Sequence, residues 1–197
     1  LVNDKRILNQ AEEPVKDLKK ENVVTFLNVG RHDERQKKLT RIIYAAEQLK
    51  KDNKKFRIIF IGDGPDTNLY KEEVKNKKLE HEIVFLGRKK NPYPYYKLCD
   101  CVVLSSDYEG YPVVYLESFI LDKPIITTNV SDSEQIEGQG IVVEKDETEI
   151  YKAMKDFIEN GYQITKQFDA KDYNNSIFNK LQEIIGLHNK LKLIIVL

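Results

Sequence analysis

The feature that most restricts the fold of this chain is a series of short, almost continuously apolar runs. They fall at residues 23–29, 56–61, 83–86, 101–105, 124–127 and 140–143. Such runs are typical of strands covered on both faces, because a strand with one solvated face alternates apolar and polar residues. The runs therefore predict a parallel sheet with a helical layer on each side.

Segments with helical periodicity fill most of the gaps between these runs. Apolar residues recur at helical spacing in four groups: Leu39, Ile42, Ile43, Ala46 and Leu49; Leu69, Val74 and Leu79; Tyr95, Tyr96 and Leu98; Ile150, Met154, Phe157 and Ile158. A last helix is predicted over residues 170–185, with Tyr173, Ile177, Leu181 and Ile184 along one face. The pattern predicts an α/β fold, a Rossmann-like doubly wound parallel sheet of about six strands with helices on both faces.

Composition limits the classes of function. The 32 basic and 32 acidic side chains cancel, which argues against a nucleic-acid binder that relies on net positive charge. No apolar run approaches the roughly 20 residues of a membrane-spanning helix. Cys99 and Cys101 flank one residue, a spacing that suits neither a disulfide bond nor a structural zinc site. We expect both cysteines to be small buried residues and the chain to be cytoplasmic.

Glycines and charged side chains collect where the predicted strands end. The four loops begin Gly30-Arg31-His32, Gly62-Asp63-Gly64-Pro65, Gly87-Arg88-Lys89 and Ser105-Ser106-Asp107. Open α/β sheets bind ligands outside the carboxyl ends of their strands, where glycines let backbone N–H groups approach an anion. Such loops use glycine whatever they bind, but four with matched chemistry predict a ligand site.

Residues 107–118 read as the end of a strand, a tight bend and the start of a helix. Glu109 precedes the bend Gly110-Tyr111-Pro112, and Glu117 follows in the helix with seven residues between the two glutamates. Both carboxylates can then face one crevice. Ionised carboxylates accept hydrogen bonds from neighbouring hydroxyl groups, so the pair suits a sugar or a ribose.

Arg31 and Lys37 are the cations best placed to bind a diphosphate at that crevice. Their spacing fits a solvated basic stretch equally well, since Arg35 and Lys38 are close by. The sequence has no Asp-x-Asp pair, no GxxxxGK[ST] loop and no GxGxxG fingerprint, which argues against a metal-held diphosphate and against NAD. Of the three histidines, only His32 is a candidate for ligand contact, and a structural role is favoured for it.

These residues together resemble the carboxyl-terminal, donor-binding half of the family-four retaining glycosyltransferases, which have the GT-B fold. The resemblance covers residues 23–185. It is carried by the ordered set Asn28-Val29-Gly30-Arg31, Gln36-Lys37, Ile59 to Pro65, Val84 to Gly87, Asn91-Pro92-Tyr93-Pro94-Tyr95, Ser105 to Glu117 and Pro124 to Thr128. Many members have Lys-Gly where this chain has Lys37-Lys38.

The resemblance implies specific roles for residues at the site. Arg31 and Lys37 would neutralise the donor diphosphate, Glu109 would engage the transferred sugar and Glu117 the ribose. Arg88 would lie near the base, and backbone groups would bind the donor at Gly30, Gly62, Gly64, Gly110, Tyr111, Pro112 and Val113. No metal and no cofactor are implied. The donor would be a nucleoside diphosphate sugar, with a UDP-sugar the first choice.

The resemblance also implies how the chain is organised. Residues 1–22 would be a linker from a missing acceptor-binding domain, residues 23–186 the nucleotide-sugar-binding domain with its final crossing helix, and residues 187–197 a tail. The exposed face of that helix (Tyr173, Ile177, Leu181) would then favour self-association.

The implied activity is transfer of a hexose, with retention, to a glycan or lipid-linked glycan in bacterial capsule or lipopolysaccharide synthesis. The chain alone would be inactive, and the full-length protein would work in the cytoplasm or at the inner face of the membrane. Two alternatives stay open: a nucleotide-sugar epimerase of the same fold, and a non-catalytic nucleotide-sugar-binding subunit.

Overall fold

A computed structural model of the chain contains the predicted parallel sheet. It describes residues 2–110, 113–131 and 133–195, with the backbone alone from residue 186. The six strands are β1 (Val24–Val29), β2 (Phe56–Ile61), β3 (Ile83–Phe85), β4 (Cys101–Leu104), β5 (Ile125–Thr128) and β6 (Gly140–Val143). They are ordered β3-β2-β1-β4-β5-β6, and every neighbouring pair is parallel. The predicted fold class is therefore confirmed.

Helices cover both faces of this sheet. They are α1 (Asp4–Ala11), α2 (Leu39–Lys51), α3 (Thr67–Asn76), α4 (Tyr93–Leu98), α5 (Val113–Ile120), α6 (Glu147–Asn160) and α7 (Ala170–Ile195), with a 3-10 turn at Ser133–Ile136. Strand side chains alternate between two cores. Phe26 and Ile58 join the core under α2, α3 and α6, whereas Leu27 and Ile59 join the core under α1, α4 and α5. Burial on both faces explains why the strands are apolar without alternation.

The strand order places a crevice at the centre of the sheet. The chain steps from β1 outward to β2 and β3, and then returns to β4 on the other side of β1. The loops after β1 and β4 therefore lead away in opposite directions and leave a gap between them at the carboxyl edge. Residues 30–38 and 105–110 flank this gap.

The segment predicted as a linker contains a helix that belongs to this domain. The prediction missed α1, which is capped by the Asn3 side chain at the Arg6 amide, 3.0 Å away. Ile7 and Ala11 are buried against the layer that holds α4 and α5. Only two buried residues mark its apolar face, too few for the sequence pattern to reveal it.

The last helix is longer than predicted, and its exposed face differs from the predicted one. We expected it to end near residue 185, but α7 continues to Ile195, so no break in secondary structure marks a tail at residue 187. A single glycine such as Gly186 costs only about 1 kcal/mol relative to alanine and does not end a helix. Tyr173 packs on Phe168 instead of facing solvent, with ring centroids 5.6 Å apart. Among the α7 residues up to 185, whose side chains the structure describes, the large exposed apolar ones are Phe178, Leu181, Ile184 and Ile185.

The helix predicted from Leu69, Val74 and Leu79 is present, and its buried face is the predicted one only in part. Leu69 is exposed, and Leu79 is buried beyond the end of α3. Tyr70 and Val74 are the residues by which α3 packs on the core. Over the described residues, no helix has the length and apolarity that crossing a bilayer requires.

Candidate functional site

Lys37 and Glu109 meet at the crevice between the loops after β1 and β4. The Lys37 Nζ atom lies 2.7 Å from Glu109 Oε1 and 2.9 Å from Oε2, so the ammonium group binds both carboxylate oxygens. The Glu109 side chain is only 8% exposed and the Lys37 side chain 20%. The Ser106 hydroxyl donates a further hydrogen bond of 2.5 Å to Glu109 Oε1. A cation and an anion that were predicted from separate motifs thus form a largely buried ion pair.

Backbone contacts fix the two loops relative to each other. The Asp107 amide donates to the Gln36 carbonyl at 2.8 Å, and the Ser105 hydroxyl lies 2.8 Å from the Lys37 carbonyl. Arg41 in α2 donates to the Ser105 carbonyl at 3.0 Å and pairs with Asp107 Oδ1 at 2.6 Å. The Lys37–Glu109 pair therefore stands on a framework in which both loops are anchored by other residues.

A cavity of about 350 Å³ opens at the carboxyl ends of β1 and β2. Four of the predicted site residues line it: Gly30, Arg31, Gly62 and Arg88. A Cβ atom at Gly30 would lie 3.7 Å from Lys37 Cε, so the cavity borders the Lys37–Glu109 pair. The Arg31 side chain is 65% exposed and lies 4.0 Å from Asp33, which leaves its guanidinium accessible to an anion.

Five residues that the sequence did not assign to the site also line this cavity: Val29 and Ile61 at the ends of β1 and β2, and Asp63, Lys89 and Pro92 in the loops. Asp63 follows Gly62 in the glycine-rich loop, and Lys89 follows Arg88 in the next loop, so both lay beside predicted residues. Asp63 Oδ2 is 3.9 Å from Arg88 Nε, with both side chains largely exposed. The cavity therefore presents basic groups together with one carboxylate.

The glycines of the second loop are required by close packing. Gly62 has a φ of +143°, and a Cβ atom there would lie 1.8 Å from the Gly30 carbonyl oxygen. A Cβ atom at Gly64 would lie 2.2 Å from the His32 carbonyl oxygen. Both positions let the loops after β1 and β2 touch, so the contacts of Gly64 are with protein backbone rather than with the cavity.

His32 is a structural residue in this loop pair, as favoured from the sequence. The side chain is fully buried among the rings of Phe60, Tyr70 and Phe85. Burial lowers its pKa, so the imidazole is neutral at pH 7. Within the described part of the chain its Nε2 atom has no hydrogen-bond partner.

The other imidazole nitrogen begins a short chain of hydrogen bonds. His32 Nδ1 lies 2.9 Å from the Thr67 hydroxyl, which in turn lies 2.9 Å from Asp63 Oδ1. The Thr67 proton goes to the carboxylate, so Nδ1 is the donor to Thr67. These bonds orient Asp63 at the cavity wall, and the bond from Thr67 lowers the pKa of Asp63.

Glu117 has different partners from Glu109. Its Oε2 atom accepts a hydrogen bond of 2.7 Å from the phenol of Tyr96 in α4. Burial raises the pKa of Glu117, and hydrogen bonds from Tyr96 and Tyr93 act in the opposite direction. The two glutamates therefore lie in different local environments on either side of the bend at residues 110–112.

The bend itself is described only at its edges. Gly110 is exposed with open space where a Cβ atom would stand, and Val113 is 58% exposed at the first residue of α5. Tyr111 and Pro112 lie outside the described residues.

Cys99 and Cys101 are buried as predicted, and burial raises the pKa of the Cys99 thiol to about 12. No cluster of three or more metal-ligating side chains occurs in residues 2–110, 113–131 and 133–195.

Comparison with known proteins agrees with this architecture. A lipopolysaccharide outer core galactosyltransferase, WaaB, superposes with a TM-score of 0.69 at 20% identity, covering 86% of this chain and 52% of WaaB. The carboxyl-terminal domain of a group 1 glycosyl transferase from Francisella tularensis, LpcC, superposes with a TM-score of 0.61 at 24% identity, over 80% of this chain and 83% of that one. These likenesses establish the GT-B type of fold.

Curated relatives are longer than this chain. An uncharacterized glycosyltransferase of Methanocaldococcus jannaschii is 32% identical over 104 residues, which is 53% of this chain and 25% of the relative. The N-acetylgalactosamine-N,N'-diacetylbacillosaminyl-diphospho-undecaprenol 4-alpha-N-acetylgalactosaminyltransferase of Campylobacter jejuni is 29% identical over 140 residues, 68% of this chain and 37% of the relative. The chain thus spans roughly a quarter to a third of their length.

The family model for glycosyl transferases group 1 matches residues 9–175. That range begins inside α1, ends in the second turn of α7 and includes all six strands with the crevice loops. The chain belongs to the group 1 glycosyl transferase family.

Proposed function

We propose that this chain binds a nucleoside diphosphate sugar and is the donor domain of a retaining glycosyltransferase. The observation that carries the proposal is the contact of Lys37 with Glu109, 2.7 Å at its shortest, at the point where the strand order reverses. This contact places a cation that can bind a phosphate beside a carboxylate that can bind the hydroxyl groups of a sugar. The cavity lined by Gly30, Arg31 and Arg88 adjoins this pair and offers space for the nucleotide.

The ammonium group of Lys37 has the capacity to hold both parts of such a donor. It has three N–H donors, and its contacts with Glu109 involve two oxygens. A donor would bind with its diphosphate on Lys37 and Arg31 and its sugar on Glu109, so that Lys37 bridges the sugar-binding carboxylate and the diphosphate. The two cations would stabilise the charge that develops on the departing diphosphate, and metal independence stays a prediction.

The names of similar proteins guide the choice of substrate. HepE of Anabaena was solved in complex with UDP, so UDP-sugars are the first donors to test. The Campylobacter relative is named for a diphospho-undecaprenol acceptor, and a relative from Erwinia amylovora for amylovoran biosynthesis. We propose by analogy a glycan or lipid-linked acceptor, bound by a further domain at the cytoplasmic face of the membrane.

Nucleotide binding by the chain itself tests the proposal. We expect UDP, GDP or ADP to raise the melting temperature, and isothermal titration calorimetry to give a one-to-one complex with and without magnesium. Two variants separate the contributions of the phosphates and the sugar to affinity. Arg31→Ala should weaken the binding of both UDP and a UDP-sugar, whereas Glu109→Gln should weaken the binding of the UDP-sugar alone. Failure of the wild-type chain to bind any nucleotide diphosphate or nucleotide sugar would contradict the proposal.

Lys37→Ala should weaken binding at least about tenfold, because a hydrogen bond to a charged group contributes about 1.5–3 kcal/mol. Lys51→Ala is the matched control, since this substitution removes the same charge in the last turn of the helix that follows Lys37.

In a full-length protein containing this domain, Lys37→Ala and Glu109→Gln should each lower turnover at least tenfold, about 1.4 kcal/mol. Release of an epimerised sugar without acceptor would indicate the epimerase instead, and binding without turnover the non-catalytic subunit.

A further inference from the structure

The tyrosine-rich segment that forms α4 is not explained by donor binding alone. Residues 91–96 read Asn-Pro-Tyr-Pro-Tyr-Tyr, and its three tyrosines are buried. Each phenol contacts a carboxylate. Tyr95 donates to Asp17 at 2.7 Å, Tyr96 donates to Glu117 at 2.7 Å, and Tyr93 adds a further hydrogen bond to Glu117. Two tyrosines of one short helix thus converge on a single carboxylate of α5.

Tyr96 is built rigidly into the domain. Its side chain is fully buried, and the ring packs on Tyr93 with centroids 6.4 Å apart. The phenol has one proton, which it donates to Glu117 Oε2. A rigid donor fixes the orientation of the carboxylate that it binds, because rotation of the carboxylate would leave a buried hydroxyl without a partner.

The carboxylate keeps capacity for further bonds. An ionised carboxylate has about four lone-pair sites, and the two tyrosines occupy two of them. Glu117 is a half-buried residue of α5, the helix that follows the bend at residues 110–112. Among the described residues the two tyrosines are its hydrogen-bond partners. Pro92, which directly precedes Tyr93, lines the cavity at the carboxyl ends of β1 and β2, so this cluster lies beside the proposed nucleotide site.

We infer that Tyr96 is a positioning residue, whose phenol holds the Glu117 carboxylate so that its free lone pairs accept hydrogen bonds from the ribose hydroxyls of the nucleotide. The inference rests on the proposed function. It differs from a general packing role in a specific way, because loss of the phenol should reduce affinity for nucleotides that have ribose hydroxyls and leave affinity for nucleotides that lack them.

The test compares two phenylalanine variants on the same helix. Tyr96→Phe removes the bond to Glu117, and Tyr95→Phe removes an equally long phenol–carboxylate bond, that to Asp17. Calorimetry would measure the affinity of each for UDP and for 2′,3′-dideoxy-UDP. We expect the preference of the wild type for UDP to fall about tenfold in Tyr96→Phe, the size of one hydrogen bond to a charged group. Tyr95→Phe should keep that preference.

A second measurement needs no ligand. Because the bond from Tyr96 opposes the effect of burial on Glu117, its removal should raise the Glu117 pKa, as followed by carboxyl-carbon NMR, and Tyr95→Phe should not. Glu117→Gln serves if Tyr96→Phe does not fold. It should lower the same UDP preference, and combining it with Tyr96→Phe should lower it no further.

The outcomes separate the inference from the proposed function. An unchanged UDP preference in Tyr96→Phe, while the wild type binds UDP, overturns the positioning role and leaves donor binding standing. An unchanged Glu117 pKa in Tyr96→Phe overturns it as well. Absence of nucleotide binding in the wild type defeats the proposed function, and the ribose role of Tyr96 fails with it.

Discussion

Lys38 shows how a single substitution against the family pattern is accommodated. It precedes α2 with φ 50° and ψ 45°, in the left-handed region. Many relatives of the type that this chain resembles have glycine there, and glycine adopts this conformation without strain. For a residue with a Cβ atom the left-handed region costs roughly 1–2 kcal/mol. The lysine nevertheless stands beside Lys37, and its ammonium group lies 3.7 Å from Asp107.

Lys38→Gly should therefore stabilise the protein. The relief of strain exceeds the additional entropy that glycine gains in the unfolded chain, and we expect a net gain of about 0.5–1 kcal/mol in the free energy of unfolding. Urea denaturation followed by circular dichroism measures it. Lys38→Ala is the control, since it removes the same partly exposed ion pair and keeps the Cβ atom. Equal stabilities of the glycine and alanine variants would count against a strained Lys38.

Some residue-level features of the site follow from the sequence and others depend on packing. The meeting of Lys37 with Glu109 could be predicted, because both follow strands whose carboxyl ends share one edge of the sheet. The bond between Tyr96 and Glu117 could not, because it depends on how α4 leans against α5. Asp63 escaped assignment for the same reason, as its orientation comes from Thr67, which is itself hydrogen-bonded to the buried His32.

Among the elements, the strands were predicted more accurately than the helices. All six predicted strands begin and end within one residue of the observed strands. Strands buried on both faces carry their signal in every residue. A helix carries it only in the face that it buries, so α1 was missed, Leu69 was wrongly placed on the buried face of α3, and α7 was made too short.

The packing of α1 can be tested with two neighbouring residues. Ile7 is 6% exposed and Leu8 is 46% exposed. Ile7→Ala should lower the free energy of unfolding by about 2–4 kcal/mol, because it removes buried methyl groups and leaves a cavity. Leu8→Ala should change it by no more than about 0.5 kcal/mol. Thermal and urea unfolding give both values. If α1 were a mobile linker, the two substitutions would have the same small effect.

At the scale of the whole molecule, an apolar stripe on α7 coincides with a balanced charge. Phe178, Leu181 and Ile185 recur at helical spacing and are at least half exposed, as is Ile184. The 32 acidic and 32 basic residues leave a formal net charge of zero at pH 7. Copies of the chain therefore lack long-range electrostatic repulsion, and the stripe offers apolar area that a second copy can bury.

We expect the chain to associate reversibly as its concentration rises, through the α7 stripe. Leu181→Glu should weaken the association, because it places a charge in the apolar contact, and sedimentation velocity across a range of concentrations at pH 7 would show the shift toward monomer. Leu69→Glu is the matched control, since it adds the same charge at a leucine of α3 that is 41% exposed. Equal effects of the two substitutions would assign the change to net charge rather than to the stripe. A wild-type chain that stays monomeric at the highest concentrations would refute the role of this surface, whereas loss of association in Leu181→Glu alone would locate the contact on α7.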